Sequence, residues 1–364
     1  MQHIAVIGAG LAGLSVAYQR SRAGDRVTLF EASERLGGQL YTERAGEFLI
    51  EHGAEGFVAG SEAVAELARA LGVADQIIDQ RVRDSCHFDG QTLTRLEPGE
   101  AGRLLGFQVG VRALGRGIQS FRLGMTELVE ALERALIGQV GWRRACPIRS
   151  VERTASGREW ALVPADGSPE TADCVVVATT AASAAPLLGK AFGATALELE
   201  KSEAVSSVTV SLAYPRGAVS QALDATGFVV AEGAQREGFR ACTFASSKLP
   251  GRAPASHALL RLFFRPTQAD LRELGDAAWL ARAERCAHTA LELRGNAERG
   301  WVSRWDRALP VFDPEHRARV AALDAQLRGS GVVLAGAAFH GSGIDGAVRS
   351  ANAAVATLAT QASG

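Results

Sequence analysis

Apolar and polar positions fall into blocks with distinct periods along this chain. His3 to Ile7 is a short continuous apolar run, the pattern of a strand buried on both faces. Leu11 to Ala23 has helical spacing, Gly24-Asp25 breaks it, and Arg26 to Glu31 resumes as a strand, which predicts one βαβ unit. Ser61 to Leu71 predicts a helix stopped by Gly72, and Met125 to Ile137 a second, spaced by Leu128, Leu132 and Leu136. Between them, Val82 to Gln119 reads as irregular and glycine-rich. Cys146 to Ala178 alternates in strand fashion and ends in the buried run CVVVAT. Ala204 to Phe264 predicts further strands, separated by turns such as Pro215-Arg216-Gly217 and Pro250-Gly251-Arg252. Asp276 to Leu293 reads as helix, and a last strand and alanine-rich helix close the chain between Val332 and Ala359. The pattern leaves an α/β fold, builds a mostly β module and returns.

Composition narrows the picture. At 364 residues the chain exceeds one core of usual size, so two domains are expected. Hydrophobic residues at 47% and charged residues at 22% are the balance of a soluble globular protein. A net charge of -1 implies no basic face for nucleic acid. Cys86, Cys146, Cys174, Cys242 and Cys286 are scattered without a C-x-x-C pair, which argues against structural zinc or disulfides and for a reducing compartment. No stretch is long and apolar enough to cross a bilayer; the nearest, Val175 to Leu197, contains Lys190 and begins as a strand. The N-terminus lacks a basic leader and a cleavage site. A cytoplasmic protein is expected, with no transmembrane segment and no peripheral membrane contact.

The candidate chemistry begins at the first strand-to-helix corner. Gly8, Gly10 and Gly13 form G-x-G-x-x-G, with Ala9, Leu11 and Ala12 between them. In this context Gly8 allows the turn, Gly10 admits a pyrophosphate near the backbone, and Gly13 lets helix pack on strand. The helix N-terminus offers N–H groups and a positive dipole end to the phosphates. Glu31, followed by Ala32, ends the second strand where a carboxylate would meet ribose hydroxyls. This predicts a dinucleotide, and the motif alone does not decide between FAD and NAD.

The following residues do. Arg35-Leu36-Gly37-Gly38, then Gln39, resembles the second flavin signature of the amine oxidase and protoporphyrinogen oxidase superfamily. FLIEHGAEGF, with Gly53, Ala54, Glu55 and Gly56, is similar to the style of protoporphyrinogen oxidases. SFRLGMTELVEALERAL, CPIRSVER with Ile148 toward an adenine, RWDRALPVFDPEH with Trp305 near a flavin, and the tail with Gly336, Ala337, Ser342, Gly343 and Ile344 extend the resemblance over nearly the whole chain, except about Glu97 to Ile118. It implies an FAD-dependent oxidase with a Rossmann-like FAD/NAD(P)-binding domain and a mixed α+β substrate domain. The FAD-binding domain would take residues 1–81, 120–185 and 323–364, and the substrate domain 82–119 and 186–322. A reduced tetrapyrrole would be the substrate and oxygen the electron acceptor, with hydride passing to the flavin. The N-terminus of the last helix, near Gly343 and Ile344, would stabilise the charge of reduced flavin.

Two departures from the family's pattern bear on the substrate. A long helical insertion that roofs the cavity in relatives is reduced here to LEPGEAGRLLGFQVGVRALGRGI. Glu55 stands where some relatives carry a basic residue, and would repel a substrate carboxylate unless another cation compensates. Only Lys190, Lys201 and Lys248 are present, and the strand Val205 to Tyr214, where amine oxidases usually place a lysine, has none. Two alternatives stay open: an amine oxidase or desaturase-like enzyme on another substrate, and a flavin-binding protein completed by a partner over the shortened side, favoured by an exposed apolar patch around Leu104 to Val111. No catalytic residue is assigned. His340 reads equally as a flavin-edge group or a packing residue, and Trp305 equally as a flavin neighbour or a core residue. His52 reads as structural, Asp306-Arg307 and Asp313-Glu315 as solvated charges. His257, His288 and His316 lack metal-ligand spacing, so no metal is expected.

Overall fold

Five parallel strands form the first sheet of the computed structural model, which describes residues 1–106 and 115–361. In order across the sheet they are Val140–Arg143, Arg26–Phe30, His3–Ile7, Cys174–Val177 and Val332–Leu334. Helix Leu11–Arg22 makes the first crossover. Ile4 and Val6 enter a core with Leu14, Leu128, Leu132 and Val348, under helices Leu11–Arg22, Thr126–Leu136 and Gly343–Gln361. Ala5 and Ile7 face the other way, into a core with Val151, Trp160, Leu188 and Leu323. That side is covered by an antiparallel meander (Ile148–Arg153, Trp160–Pro164, Glu170–Ala172) and helices Ala181–Leu197 and Pro314–Leu327. Both faces of His3–Ile7, Cys174–Val177 and Val332–Leu334 are buried, which is why these strands read as apolar runs, whereas Val140–Arg143 at the sheet edge is only half-buried and carries no such signal.

A second sheet of seven strands runs Arg299–Pro310, Ala204–Pro215, His257–Phe264, Phe239–Phe244, Gly227–Val230, Ser85–Phe88, Leu93–Leu96. Every neighbouring pair is antiparallel except Gly227–Val230 with Ser85–Phe88. Leu260, Leu262 and Phe264 pack beneath helix Asp276–Ala290 with Trp279. Leu259, on the opposite face, meets Phe48 and Ile50 of the hairpin Thr42–Ala45/Phe48–Glu51. The hairpin thus joins the two sheets, and it leads directly into residues 52–56.

Two expectations are corrected. Val82 to Gln119 is not irregular throughout: Ser85–Phe88 and Leu93–Leu96 extend the second sheet, Glu100–Leu104 is a short helix, and Ile118–Phe121 pairs with Phe57–Val58 and Ile77–Asp79. Each of these strands has only four residues, mostly half-buried or exposed, so its alternation is too brief to read. Leu104 is exposed, whereas the rest of the expected apolar patch from residue 107 to Val111 lies outside the described residues. Asp313 is not a solvated charge; it caps helix Pro314–Leu327 by accepting from the His316 N–H at 2.6 Å. Asp306 likewise accepts from Ser206 Oγ at 2.7 Å. Asp313→Ala is expected to cost about 1 kcal/mol in chemical denaturation, and Asp313→Asn only a fraction of that, because an amide oxygen caps nearly as well.

Candidate active site

The glycine corner has two kinds of close approach. A Cβ on Gly13 would lie 1.9 Å from the Gly8 carbonyl oxygen, so helix and turn are in backbone contact. A Cβ on Gly10 would meet nothing within 4 Å. Space is therefore left open above Gly10, at the end of a helix whose first N–H groups, on Leu11, Ala12 and Gly13, have no partner within the helix. Glu31 is fixed beside it: one carboxylate oxygen accepts from Ala9 N–H at 2.9 Å, the other from the Ser33 N–H and Oγ, each at 2.9 Å. Cys146 N–H donates to Glu31 O and Ala145 N–H to Ser33 O, which starts the strand of Ile148 next to Glu31 and Ala32.

The second glycine pair folds over the first. Gly37 N–H donates to Ala9 O at 2.8 Å, and a Cβ on Gly38 would come 3.3 Å from Gly10 Cα. Arg35 acts by shaping this turn. Its guanidinium donates to the carbonyls of Leu36, Gly38 and Leu40 and lies over the Tyr41 ring. Gln39 reaches across to the second sheet, donating from Nε2 to Ala308 O at 2.6 Å.

Residues 52–56 form the next wall. A Cβ on Gly53 would fall 1.6 Å from Gln39 O, and one on Gly56 would fall 2.3 Å from Gln119 O. Ala54 N–H also points to Gln39 O, at 3.4 Å. Two carbonyls turn to the second sheet, His52 O accepting from Trp305 Nε1 at 2.7 Å and Gly53 O from Arg261 Nη2 at 2.6 Å, and Glu55 O accepts from Ser120 Oγ at 2.7 Å on strand Ile118–Phe121. The tail closes the ring of elements. Gly336 (φ +120°) donates to Ser350 Oγ, Ala337 packs on the first core, and Ile344 is buried where the last helix begins. Ser342 and Gly343 are exposed, and Asp345 accepts from Ser61 Oγ at 2.5 Å.

The structure therefore gathers Gly8 to Gly13, Glu31, Ala32, Gly37 to Gln39 and Gly53 to Gly56 along one rim, with Ile148 and the tail residues adjoining. Trp305 stands behind that rim, fastened to His52 O. His340 is tied to Asp324 Oδ2 at 2.8 Å and Ser350 Oγ at 3.1 Å. His52 is buried, stacked on Tyr41 and bonded to Ser303 Oγ and Glu43. His316 bonds Ser202 Oγ, and burial pushes its pKa down. Among the described residues no cluster of His, Cys, Asp or Glu is arranged to hold a metal.

Sequence reasoning missed a charged cluster behind Gly53 to Gly56. Lys248 Nζ is ion-paired with one oxygen of Glu55, and Arg261 Nη1 lies 3.9 Å from the other. Arg252, buried nearby, donates to Ser120 Oγ at 2.8 Å and Phe121 O at 3.1 Å. Glu51 accepts from Met125 N–H at 2.9 Å and Thr42 Oγ1 at 2.8 Å. Burial would raise the Glu55 pKa, but Lys248, Arg261 and Arg252 together hold it below its ordinary value. Burial dominates at Glu51 and raises its pKa, against the pull of Arg252. The compensating cation for Glu55 thus comes from Lys248, on a different element from the strand where a lysine was sought. A signal existed: Arg261 interrupts the apolar run HALLRLFF, and Lys248 is one of three lysines.

The chain belongs to the flavin containing amine oxidoreductase family, whose model matches residues 102–359; an NAD(P)-binding Rossmann-like model matches residues 6–71. It is accordingly a flavin-dependent oxidoreductase with a Rossmann-like domain. The coproporphyrinogen III oxidase of Propionibacterium freudenreichii subsp. freudenreichii is 25% identical, over 94% of this chain and 88% of the relative. That of Bacillus subtilis (strain 168) is 22% identical, over 99% and 98%. The first alignment runs over 465 positions, more than the 364 residues here, so the relative holds stretches this chain lacks. An Exiguobacterium sp. 255-15 protein provisionally named protoporphyrinogen oxidase superposes with a TM-score of 0.83 at 21% identity, over 100% and 99% of the two chains. Cyclohexylamine oxidase from Brevibacterium oxydans IH-35A gives 0.76 at 14% identity, over 100% of both. Among the described residues no helix is long and apolar enough to cross a membrane.

The glycine geometry separates ligand space from packing. Gly10→Val is expected to keep the melting temperature of the flavin-free protein and lose most bound flavin by visible absorbance. Gly13→Val should cost at least about 3 kcal/mol with or without flavin, because its Cβ meets backbone. The two carboxylates respond oppositely to pH. Glu55, depressed in the fold, stabilises above the ordinary value of 4.5, and that contribution is lost as pH falls through its folded pKa. Glu55→Gln should cost about 3 kcal/mol at neutral pH, and the difference from the parent should shrink on acidification below 4.5. For Glu51, raised in the fold, stabilisation is present below 4.5 and lost as pH rises through its folded pKa. Glu51→Gln keeps an acceptor for the Met125 N–H and offers Nε2 as a donor to Thr42 Oγ1, so it should be neutral or stabilising at neutral pH in the same denaturation series.

Proposed function

We propose that this chain is an FAD-dependent oxidase of a reduced tetrapyrrole of the porphyrinogen type, with oxygen as electron acceptor. The single observation that carries the cofactor reading is the open space above Gly10, flanked by a free helix N-terminus, a fixed Glu31 and the close-packed Gly37-Gly38 turn. These groups fit a dinucleotide: N–H groups of Leu11 to Gly13 for the pyrophosphate, Glu31 for ribose hydroxyls, Ile148 against the adenine. Residues 37–39, 53–56, 336–337 and 342–344 would border the riboflavin half, with Trp305 behind. The tetrapyrrole reading draws its support from two coproporphyrinogen III oxidases that align along nearly this whole chain.

When bound, FAD supplies the hydride acceptor. The protein's own part is to bind, orient and exclude water. Arg261 and Trp305 fix the carbonyls of residues 52 and 53, so the loop is held rigidly against whatever lies on its other face. The difficult step belongs to the cofactor, so the reading calls for no general base from the protein. The shared-domain layout proposed is residues 1–81, 120–185 and 323–364 for FAD, and 82–119 with 186–322 for substrate. A cytoplasmic location is part of the same reading.

The test is spectroscopic. The purified protein should carry FAD, identified by mass after release. Mixed anaerobically with coproporphyrinogen III or protoporphyrinogen IX, it should bleach and yield fluorescent porphyrin; in air, peroxide should form in proportion. An FAD-loaded protein that bleaches with primary amines and not with either porphyrinogen would overturn the substrate in favour of an amine oxidase.

A further inference from the structure

The cluster of Lys248, Arg252, Arg261, Glu51 and Glu55 does more than the fold requires. Three cations face two carboxylates, and burial drives one of those, Glu51, toward its neutral form. The Nε atoms of Arg252 and Arg261 are buried and have no protein partner. Both arginines, with Glu51 and Glu55, line a cavity of about 10 Å³, room for about one water molecule. Positive charge is therefore in excess in a poorly solvated place, an arrangement that costs desolvation energy and that packing alone would not favour. It becomes favourable when a negative charge appears beside it. One stretch of backbone links this cluster to the proposed cofactor rim: Gly53 is pressed on Gln39 O, beside the Gly37-Gly38 turn, while the Gly53 carbonyl accepts from Arg261 and the Glu55 carboxylate is paired with Lys248.

We propose that Lys248, held by Glu55 and seconded by Arg261, is a positioning set that places positive potential through residues 53–56 onto the flavin ring and stabilises its reduced, negatively charged form. A hydride taken up by a neutral flavin leaves one negative charge on the ring, and fixed charges nearby shift the equilibrium without moving. The inference rests on the flavin reading given above. It assigns a role to this chain's lysine at residue 248 and explains how a carboxylate is accommodated at residue 55.

The experiment measures charge at the flavin rather than turnover. Sulfite, which makes the flavin negative on binding, is titrated against the flavin-loaded parent and against Lys248→Met, Lys248→Arg, Glu55→Gln and the double variant Lys248→Met/Glu55→Gln. Midpoint potentials are measured with reference dyes on the same samples. Lys248→Met should raise the sulfite Kd about tenfold and lower the potential, the effect of one charge at an effective dielectric of about 20. Glu55→Gln should move both quantities the opposite way, the double variant should return toward the parent, and Lys248→Arg should stay within about threefold of it. A merely structural loosening would move Lys248→Met and Glu55→Gln in the same direction, and that result overturns the inference. So does bound flavin whose sulfite affinity changes less than about twofold in Lys248→Met. Unmoved potentials with a raised KM for a carboxylate-bearing substrate in Lys248→Met would assign the ammonium to substrate and overturn it too. A parent protein that takes up no flavin sinks the flavin reading itself, and this inference with it.

Discussion

Residues 53–56 are backbone pressed between two backbones, and the relation of the two sheets follows from that contact. With a Gly53 Cβ position 1.6 Å from Gln39 O and a Gly56 Cβ position 2.3 Å from Gln119 O, only glycine fits at either end. Such closeness leaves the stretch only partly open to water, and its carbonyls take donors from the protein. Trp305, Arg261 and Ser120 supply them, each from a part of the chain far away in sequence. The hairpin before it is held by the small apolar cluster of Phe48, Ile50 and Leu259. Removing any one anchor would leave a partly buried carbonyl without its protein donor, so this junction depends on side chains distant in sequence.

The legible parts of the molecule are those whose signal is local. Residues 3–31 read as strand, turn, helix and strand because one apolar run, one glycine corner and one helical stripe lie side by side, and the structure has His3–Ile7, Leu11–Arg22 and Arg26–Phe30. The Ser85–Phe88 and Leu93–Leu96 strands escaped because a short hairpin next to the sheet edge carries no long alternation. Asp313 was a missed local signal: aspartate followed by proline is a helix start, and Pro314 occupies the first turn. The Lys248–Glu55 pair is different in kind. Its partners are separated by 193 positions, and nothing near either residue marks the other.

Buried ion pairs are weak evidence for stability, since apolar side chains of similar volume often serve as well. Here the apolar option was plainly compatible with the surroundings, because Leu49, Leu249 and Leu259 line the same cavity as Glu51, Glu55, Arg252 and Arg261. The charges are also not independent. Arg252 and Arg261 each pull on both carboxylates, so removal of one cation changes the burden on the other four groups. A cluster of that kind behaves as one unit of positive electrostatic potential, and its size is set by how many of its two carboxylates stay ionised.

An enzyme with an extensive covering element can exclude water when substrate arrives and so strengthen weak dipoles around the reacting atoms. In this chain the short helix Glu100–Leu104 packs against strands Gly227–Val230 and Ser85–Phe88, toward the far side of the second sheet from Arg299–Pro310. Potential that depends on closure is screened until closure occurs, whereas charges already buried beneath a loop are not. Lys248, Arg252 and Arg261 are such charges: they are shielded by protein before any ligand binds. An internal surplus of positive charge is in that sense independent of any lid, because a fixed interior supplies its field whether or not a site is closed.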